Sequence, residues 1–176
     1  MDKYNFQRYV YFSRWASYWY QINEVLELKP ESLLVVGVGD GIVVDILKKE
    51  ISEIKTLDID EKLKPDAIGS VENLPFKDNQ FDVILCAEVL EHLPFEKFEK
   101  CLQELRRVSN KYVVLSLPHF GPPIKFSFKI PFFKEVKAAW KILFPIKHKF
   151  NGEHYWEIGK QGYPASKIRK ILKKIL

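Results

Sequence analysis

The chain is poor in sulfur and histidine. Its 176 residues include two cysteines, one methionine and four histidines. Cys86 and Cys101 show no metal-ligand spacing, and two cysteines make no disulfide framework. A chain of this length buries enough surface to need neither staple nor metal. Free, unreactive thiols are therefore expected. His119, His148 and His154 fit no zinc pattern, so no metal site is expected. Long apolar runs are absent too. The longest uncharged stretch, Tyr112 to Ile124, has 13 residues, too few to span a bilayer as a helix. Arg8 and Arg14 enclose only five uncharged residues, too few for the core of a signal peptide, and a cytoplasmic location is expected. No internal repeat or low-complexity tract is visible.

What is present is unevenly placed. Residues 1–118 hold 15 Lys/Arg against 20 Asp/Glu, whereas residues 119–176 hold 13 against 3. Of 25 aromatic residues, nine lie in 1–20 and ten in 119–156. An acidic body thus carries a basic, aromatic appendage, an asymmetry that suggests an anionic partner or a membrane surface. Pro122-Pro123 marks the junction.

Within the body, apolar strands alternate with helical patterns. Residues 4–28 read as a helix ended by Pro30. Leu33–Val36 is a buried strand, Ile42–Lys49 a helix, Ile54–Leu57 a strand, and Asp66–Gly69 a short third strand. Phe81–Ala87 is a strongly apolar strand, Phe95–Ser109 a helix, and Tyr112–Leu117 the next strand. Such alternation gives an α/β fold with a doubly wound, mostly parallel sheet in a three-layer αβα arrangement. In the appendage, Ile124–Ile130 alternates as a strand does. Pro131 fits the first position of a helix reaching Phe144, and Pro145 ends it. A loop rich in His, Gly and Tyr precedes a last basic helix, Pro164–Leu176. The expected division is 1–30, an N-terminal helical lid; 31–118, the core; 119–163, the basic aromatic insertion; and 164–176, the last helix.

The sharpest local feature is Gly37-Val38-Gly39-Asp40-Gly41, directly after a strand and before a helix. Glycines there let the backbone turn tightly and approach a ligand, and the helix that follows points free N–H groups at the turn. Asp58 ends the second strand, where a carboxylate can accept both hydroxyls of a ribose; Asp60 reads as exposed. The spacing is G-x-G-x-G, with Ile42 in place of the third glycine of G-x-G-x-x-G. That disfavours a pyrophosphate-binding NAD site and an NAD-dependent reductase.

GVGDG, LDIDEKLKPD and GSVENLPFKDNQFDVILCAEVLEHL, in this order, resemble class I S-adenosylmethionine-dependent methyltransferases of the small Rossmann-like type. The resemblance covers Glu31 to Pro118. It implies that Gly37, Gly39 and Gly41 line the methionine part of the cofactor, Asp58 holds the ribose, and Ile59 lies against the adenine. Ser70 and Val71 would meet the adenine edge, and Cys86 to Glu88 would sit beneath the methyl donor, with Glu88–Leu93 beside the active site. Val35 stands where the family usually has an acid, a contact that Asp40 could supply instead, and Ser70 where an aspartate is common. No Asn-Pro-Pro-Tyr type motif follows the fourth strand, which argues against methylation of an adenine or glutamine amide nitrogen. The family sheet ends in an antiparallel hairpin after the last helix. Because the sequence stops at Leu176, that hairpin is expected to be absent, through a C-terminally shortened chain or an incomplete sheet.

The resemblance implies transfer of a methyl group from S-adenosylmethionine to a small-molecule or lipid-like acceptor. Two alternatives remain: a non-catalytic methyltransferase-like binding module, kept open by Val35 and Ser70, and an RNA methyltransferase that uses the basic tail. The family has no universal catalytic residue. His119, just after the fifth strand, and His92, in EVLEHL, are the candidate bases by position; for His92 a structural hydrogen bond is the stronger reading. Glu88, Glu91 and Asp82 read as structural acids, the first two on a polar helix start. The insertion, with Lys at 125, 129, 134, 137, 141, 147 and 149, is read first as a substrate lid. A membrane-lying helix over Phe132–Phe144 and an RNA platform rank below it.

Overall fold

The computed structural model describes residues 11–129, 136–141 and 146–176, without the side chains of 123–127, 137 and 139–141. Helix α1 (Phe12–Glu27) leads into β1 (Ser32–Val36), α2 (Ile42–Leu47), β2 (Glu53–Asp58) and β3 (Ala67–Ile68). Then follow β4 (Phe81–Ala87), α3 (Phe98–Val108), β5 (Ser109–Ser116), β6 (Pro123–Phe128), β7 (Val136–Lys141) and α4 (Ala165–Ile175).

The main sheet runs β3-β2-β1-β4-β5 and every pairing in it is parallel. Side chains alternate across a strand, and here both faces are covered. Leu34 and Val36 of β1 and Ile84 and Cys86 of β4 point to the face packed by α3 and α4, through Phe98, Leu102, Leu105 and Ile168. Leu33, Val35, Val83 and Leu85 point to the other face, against Tyr18 and Val25 of α1 and Val43, Val44 and Leu47 of α2. This is why β1 and β4 read as unbroken apolar runs rather than as alternating ones. The expected doubly wound, three-layer fold is present, and the main sheet is wholly parallel.

Asp82 clamps the lower end of the sheet. Its carboxylate accepts the Glu31 amide at 3.1 Å and the Asn110 amide nitrogen at 3.3 Å, and pairs with Lys111 Nζ at 3.0 Å. Ser32 Oγ accepts the Asp82 N–H at 3.0 Å. Three strand starts are thereby joined, and the Glu31 hydrogen bond, helped by Lys111, holds the Asp82 carboxyl below its ordinary pKa. Arg107 does similar work in the loop that carries Ser70. Its guanidinium donates to the Leu74 and Phe76 carbonyls and pairs with Glu104 and Asp78.

The appendage departs from expectation. Val136–Lys141, assigned to a helix by sequence, is a strand that pairs antiparallel with β6 from Phe128↔Val136 to Pro123↔Lys141. Val136, Ala138 and Trp140 recur at period two, and an extended neighbour with an unpaired edge supplies the hydrogen bonds that a helix would otherwise make internally. The proposed membrane-lying helix therefore fails over its described part; residues 130–135 and 142–145, like 1–10, lie outside the described residues. Among the described residues, β6 and β7 pair only with each other, and no helix is long and apolar enough to cross a membrane.

Candidate cofactor site

In this strand order the chain reverses direction across the sheet between β1 and β4, and open α/β sheets bind ligands outside the carboxyl ends of the strands at such a point. Val36 pairs with Cys86 there. The glycine turn leaves β1, and Val89, just past β4, lies so near it that a Cβ on Gly37 would meet Val89 Cγ2 at 2.5 Å. Gly37 has φ +87° as well, so only glycine fits. A Cβ at Gly39 or Gly41 would meet nothing within 4 Å, which leaves the space before the turn open.

Asp58 is fixed against this turn. Its Oδ2 accepts the Val38 N–H at 2.8 Å and its Oδ1 the Asp60 N–H at 2.9 Å. Each oxygen keeps a lone pair for a further donor. Ile59 beside it is 76% exposed, a large apolar side chain with no cover. Asp60 is exposed, as read. Asp40 accepts from the Tyr18 hydroxyl at 2.6 Å through Oδ2 and from the Ile42 N–H at 3.2 Å through Oδ1. Tyr18 thereby ties α1 to the turn. Of the other aromatics of α1, Phe12 is 88% exposed, and Trp15, Trp19 and Tyr20 are exposed too.

Several expected contacts change character. Val35 is buried between the sheet and the α1/α2 face, so an acid there would sit in an apolar core. Ser70 is partly exposed, with Oγ accepting the Glu72 N–H at 3.2 Å. Val71 and Cys86 are core residues of the α3/α4 face; only their main chains are available to a ligand. Cys86 is 1% exposed, and burial, with Glu91 and Cys101 nearby, pushes its thiol well above the ordinary range. Glu88 is left-handed at φ +55°, its amide donates to the Ser116 carbonyl at 2.9 Å, and its Oε1 accepts from Ser116 Oγ at 2.6 Å. A non-glycine residue held there is strained, and such strain concentrates at functional sites.

The histidines separate. His119 follows β5, its backbone bridged to Ile158, and its side chain shares a shallow depression of about 310 Å³ with Leu115, Leu117, Ile168 and Leu172 on the α4 side. His92 lies in a short 3-10 turn, Leu90–His92, instead of the start of a long helix; the long helix begins only at Phe98. Its Nδ1 lies 2.9 Å from the Glu153 carbonyl.

Glu91, read as a structural acid on a polar helix start, is 0% exposed. Burial and the neighbouring Glu88 raise its pKa to about 8. Against this turn packs Trp156, which no periodicity singled out. It is 0% exposed, packs against Phe95 and Phe98, and donates Nε1–H to the Leu93 carbonyl at 3.2 Å. With Tyr155 N–H donating to the Glu91 carbonyl at 2.8 Å, it pins the 146–163 loop over Glu88–Leu93.

Residues 34–115 match the sequence model of a methyltransferase domain. A demethylmenaquinone methyltransferase of Thermotoga maritima is 32% identical over 111 residues, which cover 56% of this chain and 48% of that protein. An uncharacterized protein of Methanocaldococcus jannaschii is 48% identical over 48 residues, or 27% of this chain and 20% of that one. The chain thus spans less than half the length of these curated relatives. Among solved structures, an S-adenosylmethionine-dependent methyltransferase from Archaeoglobus fulgidus is similar at TM-score 0.49 and 21% identity, over 60% of this chain and 53% of that one. The matched segment runs from β1 to β5 and contains the glycine turn, Asp58 and the Glu88–Leu93 segment in family order. Residues 34–115 of this chain are thus similar to a methyltransferase domain, on a Rossmann-like sheet.

Proposed function

We propose that this chain binds S-adenosylmethionine at the β1/β4 crevice and transfers its methyl group to a small-molecule or lipid-like acceptor. The observation that carries the reading is the Asp58 carboxylate, fixed by the Val38 and Asp60 amides at the mouth of an open glycine turn. Asp58 would accept the ribose hydroxyls, Ile59 would cover one face of the adenine, and the main chain of Gly37–Gly41 would hold the methionine end. Ser70 and the Val71 main chain would meet the adenine edge, with Glu88 at the end of β4. Asp40, held by Tyr18, supplies an acid near the position where Val35 lacks one.

The bound sulfonium supplies an already activated methyl group. What remains for the protein is to align the acceptor and exclude water, and to take a proton only when the acceptor arrives protonated. His119, just past β5, would take that role; His92 is committed at Nδ1 to the Glu153 carbonyl. The name of the Thermotoga relative, a demethylmenaquinone methyltransferase, supports a small-molecule acceptor over a macromolecular one.

Calorimetric titration with S-adenosylmethionine and S-adenosylhomocysteine tests the reading. Saturable binding of both, weakened at least about tenfold by Asp58→Ala, is expected, since about 1.4 kcal/mol corresponds to a factor of ten. No heat from either ligand would defeat it and leave a methyltransferase-like module without cofactor.

A further inference from the structure

Outside the glycine turn, the 146–163 loop brings together side chains that sequence spacing keeps far apart. One ligand atom each of Glu91, His92 and His154 lies within 4.8 Å of the others. The His92 and His154 rings meet edge to face at 5.1 Å between centroids. We propose that Glu91, His92 and His154 form a binding site for a first-row divalent cation of the Mn²⁺ to Zn²⁺ series.

Two independent features support it. The first is Glu91. It is 0% exposed, and beyond the neighbouring Glu88 carboxyl neither carboxylate oxygen has a hydrogen-bond partner. A buried carboxylate without donors is costly, and coordination of a metal is one of the few ways to relieve it. The second is the outer bonding of the two imidazoles. His92 Nδ1 lies 2.9 Å from the Glu153 carbonyl and His154 Nδ1 3.3 Å from Glu157 Oε1. Both partners are acceptors, so a neutral ring that donates from Nδ1 leaves Nε2 available to bind. Metal-binding histidines are oriented in this manner, by a backbone carbonyl or a carboxylate on the nitrogen that does not bind. Glu157 is itself held by Lys160 Nζ at 3.1 Å.

Two imidazoles and one carboxylate suit Mn²⁺, Fe²⁺, Co²⁺ or Zn²⁺ better than Mg²⁺ or Ca²⁺, which favour all-oxygen sets. Three protein ligands leave positions open for water or for an oxygen of another molecule. The site adjoins the end of β4 through Glu88, yet it does not depend on the methyl-transfer reading, and its test needs no cofactor.

The probe is Co²⁺, whose visible absorption reports its ligand field, titrated into the chelator-stripped full chain without S-adenosylmethionine. Uptake of one Co²⁺ per chain is expected, displaced by Zn²⁺, and weakened at least about tenfold by His92→Ala or His154→Ala. Should either variant fold poorly, Glu157→Gln keeps the loop packing and removes the charged acceptor behind His154. It should weaken binding about 10- to 100-fold with an unchanged melting temperature. Absence of stoichiometric Co²⁺ and Zn²⁺ uptake would overturn the proposal and leave Glu91 as a neutral acid beside Glu88. Unaltered affinity in a folded His154→Ala variant would overturn it as well.

Discussion

Replacing Trp156 with alanine tests the claim that one side chain holds the appendage on the core. The indole is wholly buried, meets Phe95 and Phe98 with centroids 5.1 and 5.0 Å away, and donates to the Leu93 carbonyl at 3.2 Å. Truncation of a buried Trp costs about 3–5 kcal/mol. The lost hydrogen bond places this site in the upper half of that range, because the Leu93 carbonyl is left to find another donor. About 4 kcal/mol corresponds to a fall in Tm of roughly 8–16 °C for a domain this size. Trp156→Phe keeps most of the ring packing and loses the donor, so it should cost about 1–2 kcal/mol. Urea unfolding followed by circular dichroism measures both. The 146–163 loop should also become susceptible to protease at denaturant concentrations where the sheet is intact. A loss below about 1 kcal/mol in Trp156→Ala, typical of surface sites, would refute the reasoning and show that the loop is held by other contacts.

Gly37→Ala should destabilise by about 2–4 kcal/mol, from positive φ and overpacking against Val89, and Val89→Ala in the same chain should restore part of it; a double-mutant cycle by urea titration reads the coupling. Tyr18→Phe removes the hydroxyl bound to Asp40; a loss of about 1 kcal/mol is expected, and calorimetry with S-adenosylmethionine should show whether Asp40 position affects affinity. Asp82 governs acid stability. Its folded pKa lies below the unfolded value, so its contribution is complete above about pH 4 and is lost as pH falls through the folded value. Asp82→Asn should therefore be less stable near neutrality, and its stability should change less with pH over that acid window, as followed by thermal melts.

The core was legible because its signals are local. β4 begins at Phe81 and ends at Ala87 as its apolar run indicates, and the turn from Gly37 to Gly41 meets Asp58 as their order along the chain requires. The appendage was misread where two local rules compete. Pro131 favours a helix start, but the alternation of Val136, Ala138 and Trp140 answers that of Ile124, Phe126 and Phe128 in β6, and pairing prevails. Glu91 reads as a structural acid on a polar helix start, and the fold buries it fully. Tyr155 of the 146–163 loop donates to its carbonyl, and no spacing rule links residues this distant. The metal cluster was hidden for the same reason. His148, His154 and His119 were weighed together, whereas the fold pairs His154 with His92.

The contacts that carry the 146–163 loop onto Glu88–Leu93 join residues 61 and 63 positions apart, His92 with Glu153 and Leu93 with Trp156. Closing so long a segment costs chain entropy before any contact rewards it. The β1–β4 pairing closes a segment nearly as long, Leu33 with Val83, but the loop lies outside the paired main sheet and can open by itself in the native state. Amide hydrogens of Tyr155 and Ile158 will then exchange through a partial opening that leaves Val36 and Ile84 protected. The pocket around Glu91 exists only while that loop is docked, so a ligand bridging Glu91 and His154 would raise the protection of the loop without altering that of the sheet.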